Sequence, residues 1–157
     1  MDPQMAEAFR LIPYGIYVLA TRRGTNPCAL IVSWVSQVSY SPPLLLVALR
    51  RSRYALPLIR ETGHFSLSLL RSDQKSWVAQ FKTPLPRDLF QHFFYETVEK
   101  AAPAPREALA SWECRVLSIQ EAGDHMLILG DVQSATAGRE GEPLTTAAYG
   151  KTYIGQI

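Results

Sequence analysis

The chain has 157 residues, of which 47% are apolar, and a formal net charge of +2. This length is enough to bury a core without metals or disulfides, so we expect a single domain over residues 1–157. The charge is small and its densest basic run is only Arg50, Arg51 and Arg53, which argues against nucleic acid as a partner.

The cellular setting follows from two further features. Residues 1–10 lack the basic start and apolar stretch of a secretory signal, and no run approaches the length of a membrane span. Cys28 and Cys114 lie far apart in apolar segments, where reduced, buried thiols are the ordinary expectation. We therefore expect a cytoplasmic protein with no membrane partner, no disulfide and no zinc site.

The first half of the chain alternates strand-like and helix-like segments. β-Branched and aromatic residues predict strands over 15–21, 28–40, 44–49 and 65–70, with Pro42-Pro43 separating the second from the third. Residues 54–62 and 72–81 have helical composition, and Ser72 with Asp73 forms a plausible start for the latter. We expect short helices packed over a strand layer.

The second half contains a long hairpin. Residues 111–122 and 126–137 are strand-like and meet across Gly123-Asp124-His125, a short turn-forming segment. Many strands with only short helices between them favour an antiparallel barrel over alternating β and α units. The predicted fold class is therefore mainly β.

Common catalytic motifs are absent from the sequence. It has no GxGxxG, Walker loop, GxSxG, HExxH or paired-cysteine motif, and His64, His92 and His125 do not have metal-ligand spacing. We expect no metal site. An enzyme of this composition would take its chemistry from a cofactor.

The most informative block is residues 33–43, SWVSQVSYSPP, where hydroxyls and an amide crowd the end of an apolar strand. One interpretation is a strand with one solvated face that runs into a turn. The other is a set of hydrogen-bonding groups for a flavin, with Trp34 beside the aromatic ring. The arginines of RRSRY, residues 50–54, are similarly either a solvated turn or a phosphate site.

Several segments together resemble the flavin reductase-like domain family. In order and spacing, these are LIPYGIYVLAT (11–21), SWVSQVSYSPPLLLVAL (33–49), LIRETGHFSLSLL (58–70), QF (80–81), WEC (112–114), GDHMLILGDV (123–132) and YGKTY (149–153). They extend over nearly the whole chain. The resemblance implies a Greek-key antiparallel split β-barrel with short flanking helices, and a homodimer with one flavin per subunit near the dimer interface.

The resemblance also implies roles for individual residues. FMN is the expected flavin, with FAD as the alternative, and NADH or NADPH is the expected reductant. His125 of the GDH turn would position the reductant, as would, more weakly, Tyr149. The residues implied to bind the cofactor are Ser33, Trp34, Ser36, Gln37 and Ser39 along the ring and ribityl chain, Arg51, Ser52 and Arg53 at the phosphate, and Phe81 and Tyr149 near the pocket.

Three functions fit this resemblance. The first is a reductase that transfers hydride from NAD(P)H to flavin for a downstream acceptor, such as a partner monooxygenase or a redox protein. The second is an FMN-binding electron-transfer protein that a rubredoxin-like or ferredoxin-like carrier reduces. The third is a non-catalytic ligand-binding barrel.

Overall fold

The computed structural model describes residues 1–84, 87–95, 102–137 and 140–150. Its helices are α1 (Pro3–Arg10), α2 (Ala55–Thr62), α3 (Trp77–Gln80), α4 (Arg87–Phe93) and α5 (Thr146–Tyr149), with a 3-10 helix at Ser72–Gln74. Its strands are β1 (Tyr17–Arg23), β2 (Asn26–Val32), β3 (Val35–Tyr40), β4 (Pro43–Arg50), β5 (His64–Leu69), β6 (Phe94–Tyr95), β7 (Ala104–Pro105), β8 (Ala110–Ala122) and β9 (His125–Ala137).

Seven strands form one antiparallel sheet in the order β2-β1-β5-β8-β9-β4-β3. The mainly β, antiparallel prediction is confirmed. Strands β2 and β3 are the two opposite edges, although only residues 33 and 34 separate them. Because a residue spans at most about 3.6 Å, Val32 and Val35 lie within about 11 Å of each other. The sheet must therefore curl until its edges approach, which closes one end of a barrel.

The predicted continuous strand over 28–40 is wrong, because the chain bends at Ser33 and Trp34. At the bend, the N–H of Val35 donates to the carbonyl of Ser33 (3.0 Å), and the N–H of Ala48 donates to the carbonyl of Trp34 (2.9 Å). These hydrogen bonds hold the backbone where it crosses from edge strand β2 to edge strand β3, and a regular strand does not continue through the bend. Trp34 is thereby placed at the closed end of the barrel.

The core consists of two clusters, one on each face of the sheet. Along β1, Leu19 packs into the first cluster, whereas its neighbours Val18 and Ala20 pack into the second, as alternation in a strand requires. The second cluster includes Phe81 and Phe94, so the short helices cover that outer face of the sheet. The first cluster fills the concave side.

Helix α2 begins directly after the arginine turn and packs against the first cluster. Leu56 and Ile59 are buried there, and the helix ends at Gly63, whose φ of 69° is accessible to glycine at little cost. The hydroxyl of Tyr54 donates to the carbonyl of Ala29 in β2 (2.6 Å). The predicted helix over 54–62 is confirmed to within one residue.

The second predicted helix, over 72–81, is interrupted. The 3-10 turn at Ser72–Gln74 and α3 are separate, and Arg71 rather than Ser72 precedes the first turn, where its guanidinium pairs with Asp73 at 2.9 Å. The side-chain amide of Gln74 donates a hydrogen bond to the carbonyl of Glu107 (2.9 Å), which fixes this turn to the β7–β8 connection. Tertiary anchoring therefore overrides local helical composition.

The long hairpin prediction is confirmed by β8 and β9, which pair along their lengths across Gly123 and Asp124. The close-packed point of the hairpin is Gly130, where an added Cβ would lie 2.6 Å from Phe65 and 2.9 Å from Cys114. Both cysteines are free and buried, as expected. In the described ranges we find no helix that is long and apolar enough to cross a membrane.

Candidate functional site

Two turns meet at the closed end of the barrel. Arg50 is the register partner of His125, and the N–H of Arg51 donates to the carbonyl of Asp124 at 3.1 Å. The guanidinium of Arg51 also pairs with Glu121 in β8 at 3.1 Å. The turn predicted to meet the phosphate therefore lies directly against the turn predicted to meet the reductant.

Trp34 joins this pair of turns. Its carbonyl is held by Ala48 in β4, and its indole stacks on the imidazole of His125, with ring centroids 4.6 Å apart and planes 28° from parallel. Tyr14 lies on Trp34 in a tilted arrangement at 6.2 Å. Three aromatic rings from distant parts of the sequence thus form one stack at the site.

The imidazole of His125 is fixed by its neighbour Asp124. A carboxylate oxygen of Asp124 lies 2.7 Å from Nδ1 of His125, and the other oxygen lies 3.8 Å from the guanidinium of Arg50. The hydrogen bond to His125, with a smaller effect of the Arg50 charge, lowers the pKa of Asp124. Since an ionised carboxylate can only accept, Nδ1 carries the hydrogen, and Nε2 is the nitrogen that an external ligand would meet.

Strand β3 presents polar side chains at the edge of the sheet. The hydroxyl of Ser36 donates to the carbonyl of Gln37 (3.1 Å), and the amide of Gln37 donates to the carbonyl of Ser39 (3.3 Å). Val38 and Tyr40 of the same strand are exposed. An edge with both exposed apolar groups and local hydrogen bonds is suited to binding a ligand or another chain.

A cleft of about 460 Å³ opens beside β3, on the concave side of the sheet. Its walls are aromatic and aliphatic, with a polar contribution from β3; they include Tyr17, Val35, Ser36, Gln37, Leu44, Leu45, Trp112 and Val132. Burial raises the pKa of Tyr17, so its phenol is protonated at neutral pH. A cavity of this size and lining fits an aromatic ligand with polar edges.

The predicted site residues are therefore grouped in two places along β4. Ser36 and Gln37 border the cleft, whereas Trp34, His125 and the arginine turn lie at the far end of β4. From Leu45 to Arg50 the strand covers about 17 Å. Hydroxyl and amide groups at one end, and aromatic rings beside cationic groups at the other, fit an extended flavin nucleotide, which needs an aromatic surface, hydroxyl partners and a phosphate site.

The remaining predicted residues are not brought to either place as exposed ligands. Ser33 is buried at the bend, and Phe81 is buried in the second core cluster, on the opposite face of the sheet from the cleft. Tyr149 packs against that same cluster, with Nζ of Lys75 over its ring at 5.5 Å. The last three residues of the YGKTY segment lie outside the described residues.

Some site residues were missed by the sequence reasoning. Asp124 stands beside His125 in the GDH turn, so its adjacency was a readable signal for the hydrogen bond. Tyr14, Tyr17 and Trp112 carried no such signal. Tyr17 and Trp112 come together, with ring centroids 6.4 Å apart, only because β1 and β8 both flank β5.

Comparison with known proteins gives a family match. Residues 9–155 match the family model described as the flavin reductase like domain. FMN reductase (NADH) SmoA of Agrobacterium fabrum is 33% identical over 130 residues, which cover 83% of this chain and 73% of that protein. The reductase component of 4-hydroxyphenylacetate 3-monooxygenase of Thermus thermophilus is 28% identical over 144 residues, covering 92% and 91%.

The fold is also found among solved structures. The NADH:FAD oxidoreductase SgcE6 of Streptomyces globisporus superposes with a TM-score of 0.82 at 26% identity, covering 92% of this chain and 90% of that chain. The predicted split-barrel architecture is thereby confirmed. Relatives differ in length: the chain spans only 27% of diflavin flavoprotein A 1 of Synechocystis, with 28% identity over 156 residues.

Proposed function

The chain belongs to the flavin reductase-like domain family, and from this premise we propose that it is a flavin-dependent oxidoreductase that uses NAD(P)H to reduce bound FMN. The observation that carries the proposal is the meeting of His125, Trp34 and the Arg51–Arg53 turn at one end of β4. These elements supply, in one place, an oriented imidazole, an aromatic surface and phosphate-binding charge.

The flavin, when bound, supplies the hydride acceptor, so the chain needs no acid–base pair of its own. The residues of the chain bind the flavin and orient the reductant. Arg51 and Arg53 attract the phosphate, and the hydroxyl of Ser52 between them adds a hydrogen bond. Ser36, Gln37 and Ser39 offer hydroxyl, amide and backbone groups to the ribityl chain and ring edge. His125, held by Asp124, orients the reductant with the face of its ring and with Nε2, and alignment of the nicotinamide ring with the flavin ring contributes greatly to the rate.

FMN is proposed as the flavin, because the arginine turn supplies two guanidinium groups, those of Arg51 and Arg53, for its phosphate. Related proteins are named for either flavin. Equilibrium titration of the apoprotein with each flavin distinguishes them. We expect tighter binding of FMN, and a Kd that rises in Arg53→Ala for FMN; equal affinity for riboflavin and FMN would contradict the phosphate role.

A homodimer is part of the proposal. Its support is the β3 edge, where Val38 and Tyr40 expose apolar surface beside an open cleft that a second copy would cover. Sedimentation at several concentrations is the direct measurement. We expect a dimer for the wild type and dissociation in Val38→Glu, which places a charge on that edge.

The electrons go to a downstream acceptor. Family members include reductase components of monooxygenases, and we propose a partner monooxygenase or another redox protein as the acceptor, in the cytoplasm. A partner that accepts reduced flavin by diffusion requires no complex, so supply of reduced flavin across a dialysis membrane tests this directly. Product formed across the membrane supports diffusive transfer.

The first experiment follows the visible spectrum of the FMN-loaded protein anaerobically after NADH and, separately, NADPH. We expect rapid loss of the oxidised-flavin band with at least one of them. His125→Ala should slow this reduction and leave FMN affinity nearly unchanged, whereas the matched control His92→Ala, at an exposed position in α4, should change neither the reduction rate nor the FMN affinity.

Other outcomes favour the alternatives. A bound flavin that stays oxidised with both nucleotides, and is reduced quickly by a protein carrier, indicates an electron-transfer protein. Protein that remains colourless after FMN addition indicates a non-catalytic barrel. A large loss of FMN affinity in His125→Ala would remove the role assigned to this residue.

A further inference from the structure

We propose that Trp34 competes with the nicotinamide ring for the face of His125, so that the reductant binds only when the indole moves aside. The inference rests on the proposed role of His125 at the reductant site. It makes Trp34 a residue that sets the affinity for the reductant: the free energy of displacing the indole is subtracted from the binding of every reductant.

The indole of Trp34 covers one face of His125. The imidazole of His125 is stacked by the indole at 4.6 Å with a 28° angle between planes, which is the geometry of a favourable aromatic pair. The His125 side chain is only 16% exposed. A nicotinamide is itself a flat aromatic ring, and it cannot contact the same face of the imidazole while the indole covers it.

Of the two stacked rings, the indole is the one that is free to move. His125 is fixed by the 2.7 Å bond from Nδ1 to Asp124, and Asp124 is in turn held near Arg50. Trp34 is fixed through its backbone, by the bond between its carbonyl and Ala48, whereas its indole is 37% exposed and meets His125 and Tyr14 through ring contacts. The indole can therefore change rotamer without disturbing the strand, and such changes in exposed side chains are fast.

The indole has no part in holding the bend that carries it. Trp34 is outside both core clusters, and the bend that carries it is held by backbone hydrogen bonds that any residue type could make. A large aromatic side chain is thus unnecessary for the crossing from β2 to β3. The ring contacts of the large indole are with His125 and Tyr14, at the candidate site.

The direct experiment compares Trp34→Ala and Trp34→Phe with the wild type by anaerobic rapid mixing of the FMN-loaded proteins with NADH. We expect the NADH concentration for half-maximal reduction rate to fall by about two- to tenfold in Trp34→Ala, because a stacked aromatic pair no longer has to be broken. Trp34→Phe should lie between. FMN Kd, measured in parallel, should change less than the NADH value.

A binding readout independent of turnover uses NAD⁺ as the probe and tryptophan fluorescence as the signal, with the apoprotein. NAD⁺ should shift the emission of the wild type and of Trp77→Phe, which removes a tryptophan elsewhere, but not that of Trp34→Phe. This shift reports the indole leaving His125. His125→Ala should show no further shift, since its Trp34 is already unstacked.

Two results would overturn the proposal while leaving the reductase function intact. A higher half-saturating NADH concentration in Trp34→Ala would mean that the indole supports the nicotinamide, and an unchanged value with no NAD⁺-dependent fluorescence shift would mean that it does not meet the reductant. Failure of the proposed function gives a different result from these two, because neither nucleotide would then reduce the flavin in the wild type. That result would overturn the inference as well.

Discussion

Tyr54 connects the arginine turn to the edge of the sheet, and its removal tests how that turn is held. Its hydroxyl donates to the carbonyl of Ala29 at 2.6 Å, and Ala29 is buried in edge strand β2. Tyr54→Phe leaves that carbonyl without its donor, at a cost of roughly 1–3 kcal/mol in the free energy of unfolding. For a domain of this size the Tm should fall by roughly 2–12 °C.

The matched control is Tyr40→Phe, because Tyr40 is 89% exposed and the chemical change is identical. We expect its stability to stay within about 0.5 kcal/mol of the wild type. Denaturant unfolding of the apoproteins measures both variants, and an FMN titration of the folded proteins tests whether Tyr54→Phe also loosens the phosphate turn. Equal stability of the two variants would refute the reasoning.

The pH dependence provides a second check on Tyr54. Burial, followed by the nearby Cys28, raises the pKa of Tyr54 to about 12. A phenol whose pKa is raised by folding contributes stability below its unfolded value near 10 and loses that contribution as the pH rises towards 12. Absorbance titration of the folded protein should therefore show one late-titrating phenol fewer in Tyr54→Phe than in the wild type, and no such loss in Tyr40→Phe.

Three further predictions concern the frame that positions the site. Gly130→Ala should destabilise by about 1–3 kcal/mol, because its Cβ would meet Phe65 and Cys114, and Phe65→Leu should recover part of that loss in a double-mutant cycle measured by denaturant unfolding. Gly63→Ala should cost about 1 kcal/mol in thermal unfolding, since φ is 69° there; no loss would contradict the left-handed cap. Burial raises the pKa of the Cys114 thiol to about 12, so the contribution of this thiol to stability should fall above pH 9 by no more than about 1.4 kcal/mol per pH unit, and Cys114→Ala should show a flatter alkaline profile.

The barrel illustrates how far local patterns predict a fold. Alternating β-branched residues predicted β1, β4, β5 and the long hairpin with errors of about one or two residues, because these strands form where local preference and tertiary pairing agree. The bend at Ser33 and Trp34 was hidden within an apolar, strand-like run. It arises because the sheet must bring its two edges together, which is a requirement on strands that are distant in sequence.

Helix α1 is a different case, since the sequence contained a signal that we did not use. Asp2 accepts a hydrogen bond from the N–H of Gln4, and Pro3 is the first helical residue, which is a common helix start. The 3-10 turn after Arg71 had no such signal. The helix predicted over 72–81 is interrupted there, and the turn is held by the hydrogen bond that the Gln74 amide donates to the distant carbonyl of Glu107.

By itself, the sequence determined the family, the antiparallel strand content and the candidates at the site, because each depends on residue types in a fixed local order. Only the tertiary structure decided which candidates meet: β4 and β9 pair in a register that sets Arg50 against His125, and the edge crossing lays Trp34 on that imidazole. It also separated Phe81 and Tyr149 from them, on the other face of the sheet. Proximity between strands far apart in the chain depends on register and curvature, which no local pattern encodes.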